Sequence, residues 1–85
     1  MKLTVLYFAR LREALARERE EVEVPAGVTT VAELRAWLAS RGAPFADAFA
    51  SIARIRAAVD QTMAQDDTPL RDGAEVAFFP PVTGG

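Results

Sequence analysis

The sequence predicts a single α+β domain in which one main helix packs on one face of a mixed β-sheet. Its 85 residues provide for one core, because a chain of this size buries only about 60 to 65% of its unfolded surface. An apolar fraction of 51% and a charged fraction of 26% are typical of a globular protein. The apolar periodicity follows the order strand, short helix, strand, helix, and three strands, which favours a mixed α+β roll.

The first third of the chain predicts two strands around a short helix. Residues 3–9 include apolar side chains at both odd and even positions, which indicates a central strand covered on both faces. Apolar residues at helical spacing predict a helix over 10–17, where Glu13 and Arg17 stand one turn apart. Residues 20–25 alternate between valine and glutamate, as a half-exposed strand does.

The main helix is predicted over 31–41. Thr30 and Glu33 have the capping-box spacing that satisfies free amide groups at a helix start. Gly42 and Pro44 supply the stop. One core-facing stripe follows from the helical spacing of Val31, Leu34 and Leu38, with Trp37 alongside.

The second half predicts a closing segment and three strands. Residues 44–52 have near-helical apolar spacing, which indicates an irregular stretch or a short helix over the core. Residues 56–59 and 62–64 form antiparallel strands around the turn dipeptide Asp60-Gln61. The last strand begins at Glu75 and runs through Val76, Ala77, Phe78 and Phe79.

Pro80 and Pro81 end that strand, because proline donates no backbone hydrogen bond and fixes φ. We therefore expect a folded domain over 1–81 and a flexible, extended tail over 82–85, Val82-Thr83-Gly84-Gly85. From Pro80 the tail can reach up to about 20 Å.

Composition excludes most familiar chemistry. The chain has no cysteine and no histidine, which removes thiolate nucleophiles, the commonest metal ligands and the usual neutral-pH base. Asp66, Asp67 and Asp72 lack the order of a calcium loop, so turn formation explains them better than a metal site, and we expect no metal. A net charge of −2 disfavours a nucleic-acid partner. With no membrane span or signal peptide recognisable, we expect a cytoplasmic protein.

The terminal Gly84-Gly85 pair is the strongest candidate for chemistry. Glycine has no Cβ, so the pair can thread a narrow channel and bring the Gly85 carboxyl to another protein's catalytic groups. A carboxylate is a poor electrophile and needs activation, for example as an acyl adenylate. A sulfur donor can then displace AMP and leave a thiocarboxylate. The plainer reading is a frayed terminus without a function.

The ending Phe78-Phe79-Pro80-Pro81-Val82-Thr83-Gly84-Gly85 resembles that of the small, sulfur-carrying subunit of molybdopterin synthase. The resemblance spans essentially the whole chain. It includes the segments Val5–Ala9, Ala57–Thr62 and Leu70-X-Asp72-Gly73.

This resemblance implies a ubiquitin-like β-grasp fold and a Gly85 carboxyl that becomes an adenylate and then a thiocarboxylate. It implies two partners, an E1-like adenylyltransferase that uses ATP and the large synthase subunit, with two small and two large subunits in a heterotetramer. Cyclic pyranopterin monophosphate would receive the sulfur, and catalytic side chains would belong to the large subunit. The carrier itself would bind no cofactor.

By their positions in the matching motifs, Phe8, Met63 and Phe79 would dock both partners, together with Pro80, Pro81, Val82 and Thr83. The alternative for Phe8 and Phe79 is an ordinary place in the core. Other functions also stay open: a sulfur carrier for thiamine or tRNA thiolation, a protein tag, or a binding module that carries nothing.

Overall fold

The computed structural model describes residues 1–52 and 54–81. A five-stranded mixed sheet and three helices alternate along the chain. The strands are β1 (Lys2–Tyr7), β2 (Arg19–Glu23), β3 (Arg56–Val59), β4 (Thr62–Ala64) and β5 (Glu75–Phe79). The helices are α1 (Ala9–Leu15), α2 (Val31–Ala39) and α3 (Phe45–Ser51).

The sheet has the strand order β2-β1-β5-β3-β4. The first and last strands, β1 and β5, lie side by side and parallel, whereas the other three pairings are antiparallel. The C-terminal strand thus occupies the centre of the sheet. This arrangement is the β-grasp architecture, and the predicted fold class is confirmed.

One face of the sheet packs on all three helices. The side chains of Leu3, Val5 and Tyr7 on β1 are at most 1% exposed, as are those of Val76 and Phe78 on β5. They join one core with buried residues of the helices, among them Leu11, Leu34, Leu38, Phe45 and Ala48. Fully burying one such large side chain stabilises the fold by about 1.5 to 3 kcal/mol.

The main helix begins as predicted and ends earlier. The Thr30 hydroxyl accepts from the Glu33 backbone N–H at 3.3 Å, and the Glu33 carboxylate accepts from the Thr30 N–H at 3.1 Å. Hydrogen bonds that the Glu33 carboxylate accepts from the N–H and hydroxyl of Thr29, and from Thr30, hold the pKa of Glu33 below its usual value. The helix ends at Ala39, because Ser40 caps it before Gly42 turns the chain at φ +90°.

Two expectations about the first third of the chain are wrong. Strand β1 is covered on one face only, because all three helices pack on the same side of the sheet. The short helix predicted over 10–17 ends earlier, at Leu15, because Ala16 takes a left-handed φ of 56°, so Arg17 is not one helical turn from Glu13. Arg17 instead contacts Glu20 at 2.9 Å.

Glu20 is the centre of a polar cluster at the edge of the core. Its carboxylate accepts from the Tyr7 hydroxyl at 2.7 Å and from the guanidinium groups of Arg17 and Arg41. Arg41 also stacks over the Phe45 ring at 4.4 Å. Burial alone would raise the pKa of Glu20, but the hydrogen bonds from Arg41 and Tyr7 lower it below its usual value. The cluster therefore ties β1 and β2 to the helices.

The closing segment and the last hairpin follow the sequence prediction. The stretch 44–52 contains helix α3, whose Phe49 ring meets Phe78 edge to face with the centroids 5.6 Å apart. Asp60 and Gln61 both have positive φ, as a two-residue hairpin turn requires. The Asp60 carboxylate accepts from the Glu75 N–H and from Arg71, and these contacts lower its pKa.

Candidate functional site

The tail leaves the sheet from its central strand. Phe79, the last residue of β5, is in register with Arg56, the first of β3, and Pro80 and Pro81 follow half-buried. The predicted site residues Val82, Thr83, Gly84 and Gly85 lie outside the described residues. The boundary between a domain over 1–81 and the tail over 82–85 stays a prediction.

Phe8 stands beside the base of the tail with 46% of its surface exposed. Its N–H donates to the carbonyl of Phe78 at 3.1 Å, which continues the pairing of β1 with β5 by one residue. Its own carbonyl accepts from Leu11 N–H at 3.1 Å, because Phe8 is the N-cap of α1. Both the N–H and the carbonyl of Phe8 are thus held by hydrogen bonds, and its ring lies on the face of the sheet away from the helices.

Met63 lies on the same face, near the far edge of the sheet, and is 52% exposed. The short turn at Asp60-Gln61 sets its position, since it pairs Met63 with Ala58 across the hairpin. Paired residues of neighbouring strands share a face. Phe79 also points to this outer face, because neighbouring residues of a strand point to opposite faces and Phe78 is fully buried on the helix side.

The register joins these residues into one apolar strip across the sheet. Leu6 is paired with Ala77, Ala77 with Ala58, and Ala58 with Met63. We call Leu6, Phe8, Ala58, Met63, Ala77 and Phe79 the outer strip. The sequence reading missed Leu6, Ala58 and Ala77. Their parity was a signal, since Leu6 and Ala77 stand two residues before Phe8 and Phe79.

The outer strip carries no chemistry of its own. Its side chains are hydrocarbon, aromatic or thioether groups. Within residues 1–52 and 54–81, no group of three or more carboxylates, histidines or cysteines is placed to hold a metal ion. No helix in these ranges is long and apolar enough to cross a bilayer. The exposed apolar strip is suited to contact with another protein.

Tyr7 is the one buried ionisable hydroxyl near this end of the sheet. Burial and the hydrogen bond that it donates to Glu20 raise the pKa of Tyr7 well above its ordinary value. The phenol stays neutral at physiological pH and holds Glu20. It points into the core, away from the outer strip, so we assign it to the fold.

Comparison with known proteins identifies a family. A model of the ThiS family matches residues 5–85. The molybdopterin synthase sulfur carrier subunit of Escherichia coli (strain K12) is 45% identical over 98% of this chain and 99% of its own length. That of Mycobacterium tuberculosis (strain ATCC 25618 / H37Rv) is 43% identical over 100% of this chain and 99% of its own.

A solved structure shares the fold. Subunit 1 of a molybdopterin converting factor from Pyrococcus furiosus superposes with a TM-score of 0.79 at 31% identity, over 96% of this chain and 99% of that one. The resemblance stated from the sequence motifs is confirmed. The chain belongs to the ThiS family, and over its whole length it is similar to the sulfur carrier subunits of molybdopterin synthase.

Proposed function

We propose that this protein is the sulfur carrier of a molybdopterin synthase, with the carboxyl of Gly85 as its working group. One observation carries the proposal. The similarity to relatives named as sulfur carrier subunits covers 98 to 100% of the chain, and the family match runs through Gly85 itself. The relatives' names favour this pathway over thiamine synthesis, tRNA thiolation, protein tagging or a module that carries nothing.

The chemistry takes place on the tail. A carboxylate oxygen of Gly85 attacks the α-phosphorus of ATP, and pyrophosphate leaves, which gives an acyl adenylate. A hydrosulfide equivalent from a sulfur donor then attacks the carbonyl carbon. The C–O bond to AMP breaks, and the product is a terminal thiocarboxylate. In the synthase, the sulfur of this group bonds to a carbon of cyclic pyranopterin monophosphate, and water then hydrolyses the bond between that sulfur and the Gly85 carbonyl carbon, which restores the carboxylate.

The folded body supplies docking rather than catalysis. In its described residues it offers no metal cluster, and the whole sequence lacks cysteine and histidine. The outer strip adjoins the base of the tail, so a partner that covers the strip also receives the tail. Exposed Phe8 and Met63 provide the apolar contacts, because large hydrophobic side chains are rarely exposed together without a partner. Phe79, Pro80 and Pro81 connect this surface to Val82, Thr83 and the two glycines.

In this proposal two partner proteins bind the tail one after the other. The name "subunit" in the relatives supports a large synthase subunit as one partner. An E1-like adenylyltransferase that binds ATP is the other. A heterotetramer of two small and two large subunits, a carrier without a cofactor and a cytoplasmic location complete the proposal. The catalytic side chains belong to the large subunit.

Intact-mass spectrometry tests the proposal. The protein is incubated with the activating enzyme of the same genome, ATP and a sulfur source. We expect the mass to rise by the difference between one sulfur and one oxygen, with the change located at Gly85 by fragmentation. If the mass never changes while the adenylyltransferase consumes no ATP, the carrier function is wrong.

A chain without Gly85 is the matched control. Truncation by one terminal residue leaves the described body untouched, so its thermal unfolding midpoint should equal that of the intact chain. We expect no thiocarboxylate and no sulfur transfer from it. A truncated chain with full activity would contradict the assignment of Gly85. A Gly85 joined by an amide bond to lysines of other proteins would support tagging instead.

A further inference from the structure

The outer face of the sheet separates its charges along the strands. Residues paired across neighbouring strands form rows that run across the face. In these rows Arg19 is paired with Leu6 of the outer strip, and Arg56 is paired with Phe79. Farther from the tail, Glu21 and Glu75 are both paired with Thr4. The two arginines therefore share the tail end of the face with the apolar residues, and the glutamates occupy the other end.

The next row extends the acidic end. Glu23 is paired with Lys2 there, so the far end of the face has three glutamates and one lysine pointing outward. Successive rows on one face are about 7 Å apart, since each is two residues along a strand. The face thus changes from basic to acidic within about two rows.

Arg19 and Arg56 lie on either side of the part of the strip that β1 and β5 form, while Met63 lies beyond Arg56 on β4. Three strand spacings of about 4.8 Å separate β2 from β3, and Arg56 is one row of about 7 Å nearer the tail, which places the two arginines about 16 Å apart. Both are exposed, and neither forms an ion pair with a carboxylate in the described part of the chain. By contrast, Arg17, Arg35, Arg41 and Arg71 all form such pairs.

From this arrangement we infer that Arg19 and Arg56 form a basic bracket around the part of the outer strip nearest the tail, which Leu6, Phe8, Ala77 and Phe79 form. The bracket fits a partner protein whose tail channel is rimmed by carboxylates. The inference rests on the proposed function and adds the chemistry of the partner's rim. Charges at an interface rim act mainly on the association rate and on orientation. The acidic far end of the same face repels that rim, so the charge separation favours one orientation of the carrier about its tail.

Because the chain is negatively charged overall, the two arginines can attract an acidic partner only at short range. At −2 overall, the protein as a whole does not attract an acidic partner. Attraction arises only when the tail end faces the partner within about a Debye length, roughly 8 to 10 Å at physiological salt. The bracket therefore selects encounters in which the tail already points at the channel.

Stopped-flow association with the large synthase subunit of the same genome tests this inference. The R19Q/R56Q variant removes both charges of the bracket, and K2Q/R71Q removes two positive charges at or near the acidic end as the matched control. Both variants have a net charge of −4, since each loses two positive charges from −2. Each replaced side chain is exposed, and the one ion pair that is lost, Arg71 with Asp60, lies at the surface, so both variants should unfold close to the wild-type midpoint.

At low ionic strength we expect R19Q/R56Q to associate about three to ten times more slowly than wild type, with K2Q/R71Q within about twofold. The difference should disappear near 1 M salt, where the Debye length is about 3 Å. An R19K/R56K variant should restore the rate, since steering depends on charge rather than on guanidinium geometry.

Equal slowing in both double variants would assign the effect to net charge and overturn the inference. So would a wild-type rate for R19Q/R56Q. Weaker binding of a single-stranded RNA by R19Q/R56Q, with no change toward the large subunit, would assign the arginines to nucleic acid instead. Failure of wild type to bind the large subunit or to gain sulfur would remove the proposed function, and the inference with it. Wild-type binding and sulfuration with no loss in R19Q/R56Q would remove the inference alone.

Discussion

The two faces of the β-sheet are built from neighbouring residues and do opposite work. On β5, Phe78 is 0% exposed beneath the helices, whereas the next residue, Phe79, lies half-buried on the outer strip. At the end of β1, Tyr7 is 1% exposed, and the next residue, Phe8, is 46% exposed. The helix-packed face holds the fold together, and the outer face leaves apolar area uncovered at the end of the sheet where Phe8 and Phe79 lie. Adjacent aromatic residues therefore divide between the core, which stabilises the fold, and the outer strip, for which we propose docking.

The difference bears on the proposed exchange between two partners. The core lies between the sheet and the three helices, so the outer strip contributes less to stability than the helix-packed face does. Covering it with a partner adds binding free energy without rearranging the fold. The central position of β5 also gives the base of the tail hydrogen-bonded neighbours on both sides. The body is thus a rigid support for a group that other proteins must reach.

The largest expected effect compares Phe78→Ala with Phe79→Ala. Phe78→Ala opens a cavity in the core and should lower the free energy of unfolding by about 3 to 5 kcal/mol. Phe79→Ala should lower it by about 1 kcal/mol, because its ring is only half-buried. Urea denaturation followed by circular dichroism measures both. Where Phe78→Ala does not fold, Phe78→Leu gives a smaller loss that can be compared. A greater loss in Phe79→Ala would contradict the division between the faces.

The second prediction sharpens the functional side of the comparison. Met63→Glu places a charge on the outer strip and should raise the Kd for the large subunit about tenfold or more, by desolvation of the carboxylate at the interface. Thr62→Glu is the matched control, because the neighbouring residue of β4 is also exposed and points to the opposite face. Isothermal titration calorimetry should show it within about twofold of wild type.

The free energy of unfolding should not change in parallel with the Kd in Met63→Glu and Thr62→Glu. Both substitutions are at exposed positions of a short edge strand, so each should change the free energy of unfolding by less than about 0.5 kcal/mol. If Met63→Glu weakened binding only in proportion to a loss of stability, the strip would be structural.

The smallest effect concerns the helix-packed face and its pH dependence. The folded state lowers the pKa of Glu20, so the stabilisation is present above the unfolded value of 4.5 and is lost as the pH falls through the folded value. Glu20→Gln should therefore lower the free energy of unfolding by about 1 kcal/mol at pH 7 and make the decline below about pH 4.5 shallower. Denaturation at a series of pH values measures this.

Part of the loss of stability at low pH should remain in Glu20→Gln, since Glu33 and Asp60 also have lowered pKa values in the folded state. Glu13→Gln is a suitable control, because Glu13 is exposed on α1 and forms no ion pair in the described chain. We expect it to follow wild type. An unchanged pH profile for Glu20→Gln would show that the polar cluster contributes nothing to stability.

Local signals in the sequence were sufficient for much of the fold. The capping box at Thr30 and Glu33, the turn at Asp60-Gln61 and the end of β5 before Pro80 each depend on groups a few residues apart. The predicted end of the short helix at residue 17 was wrong, because α1 ends at a left-handed alanine, Ala16, and no glycine in the sequence indicates that end. The Gly-Gly ending and its motif identified the family without any structure.

The sequence alone determined the order of the elements, the absence of thiol and imidazole chemistry, and the proposal of Gly85 as the working group. The tertiary structure decided which apolar residues form the outer strip and where Arg19 and Arg56 lie beside it. The reason is physical. A strand that is apolar on both parities does not reveal its covered face, because that depends on where distant helices pack. Likewise, Arg19 and Arg56 come to bracket one strip only through hydrogen bonds between strands far apart in the chain.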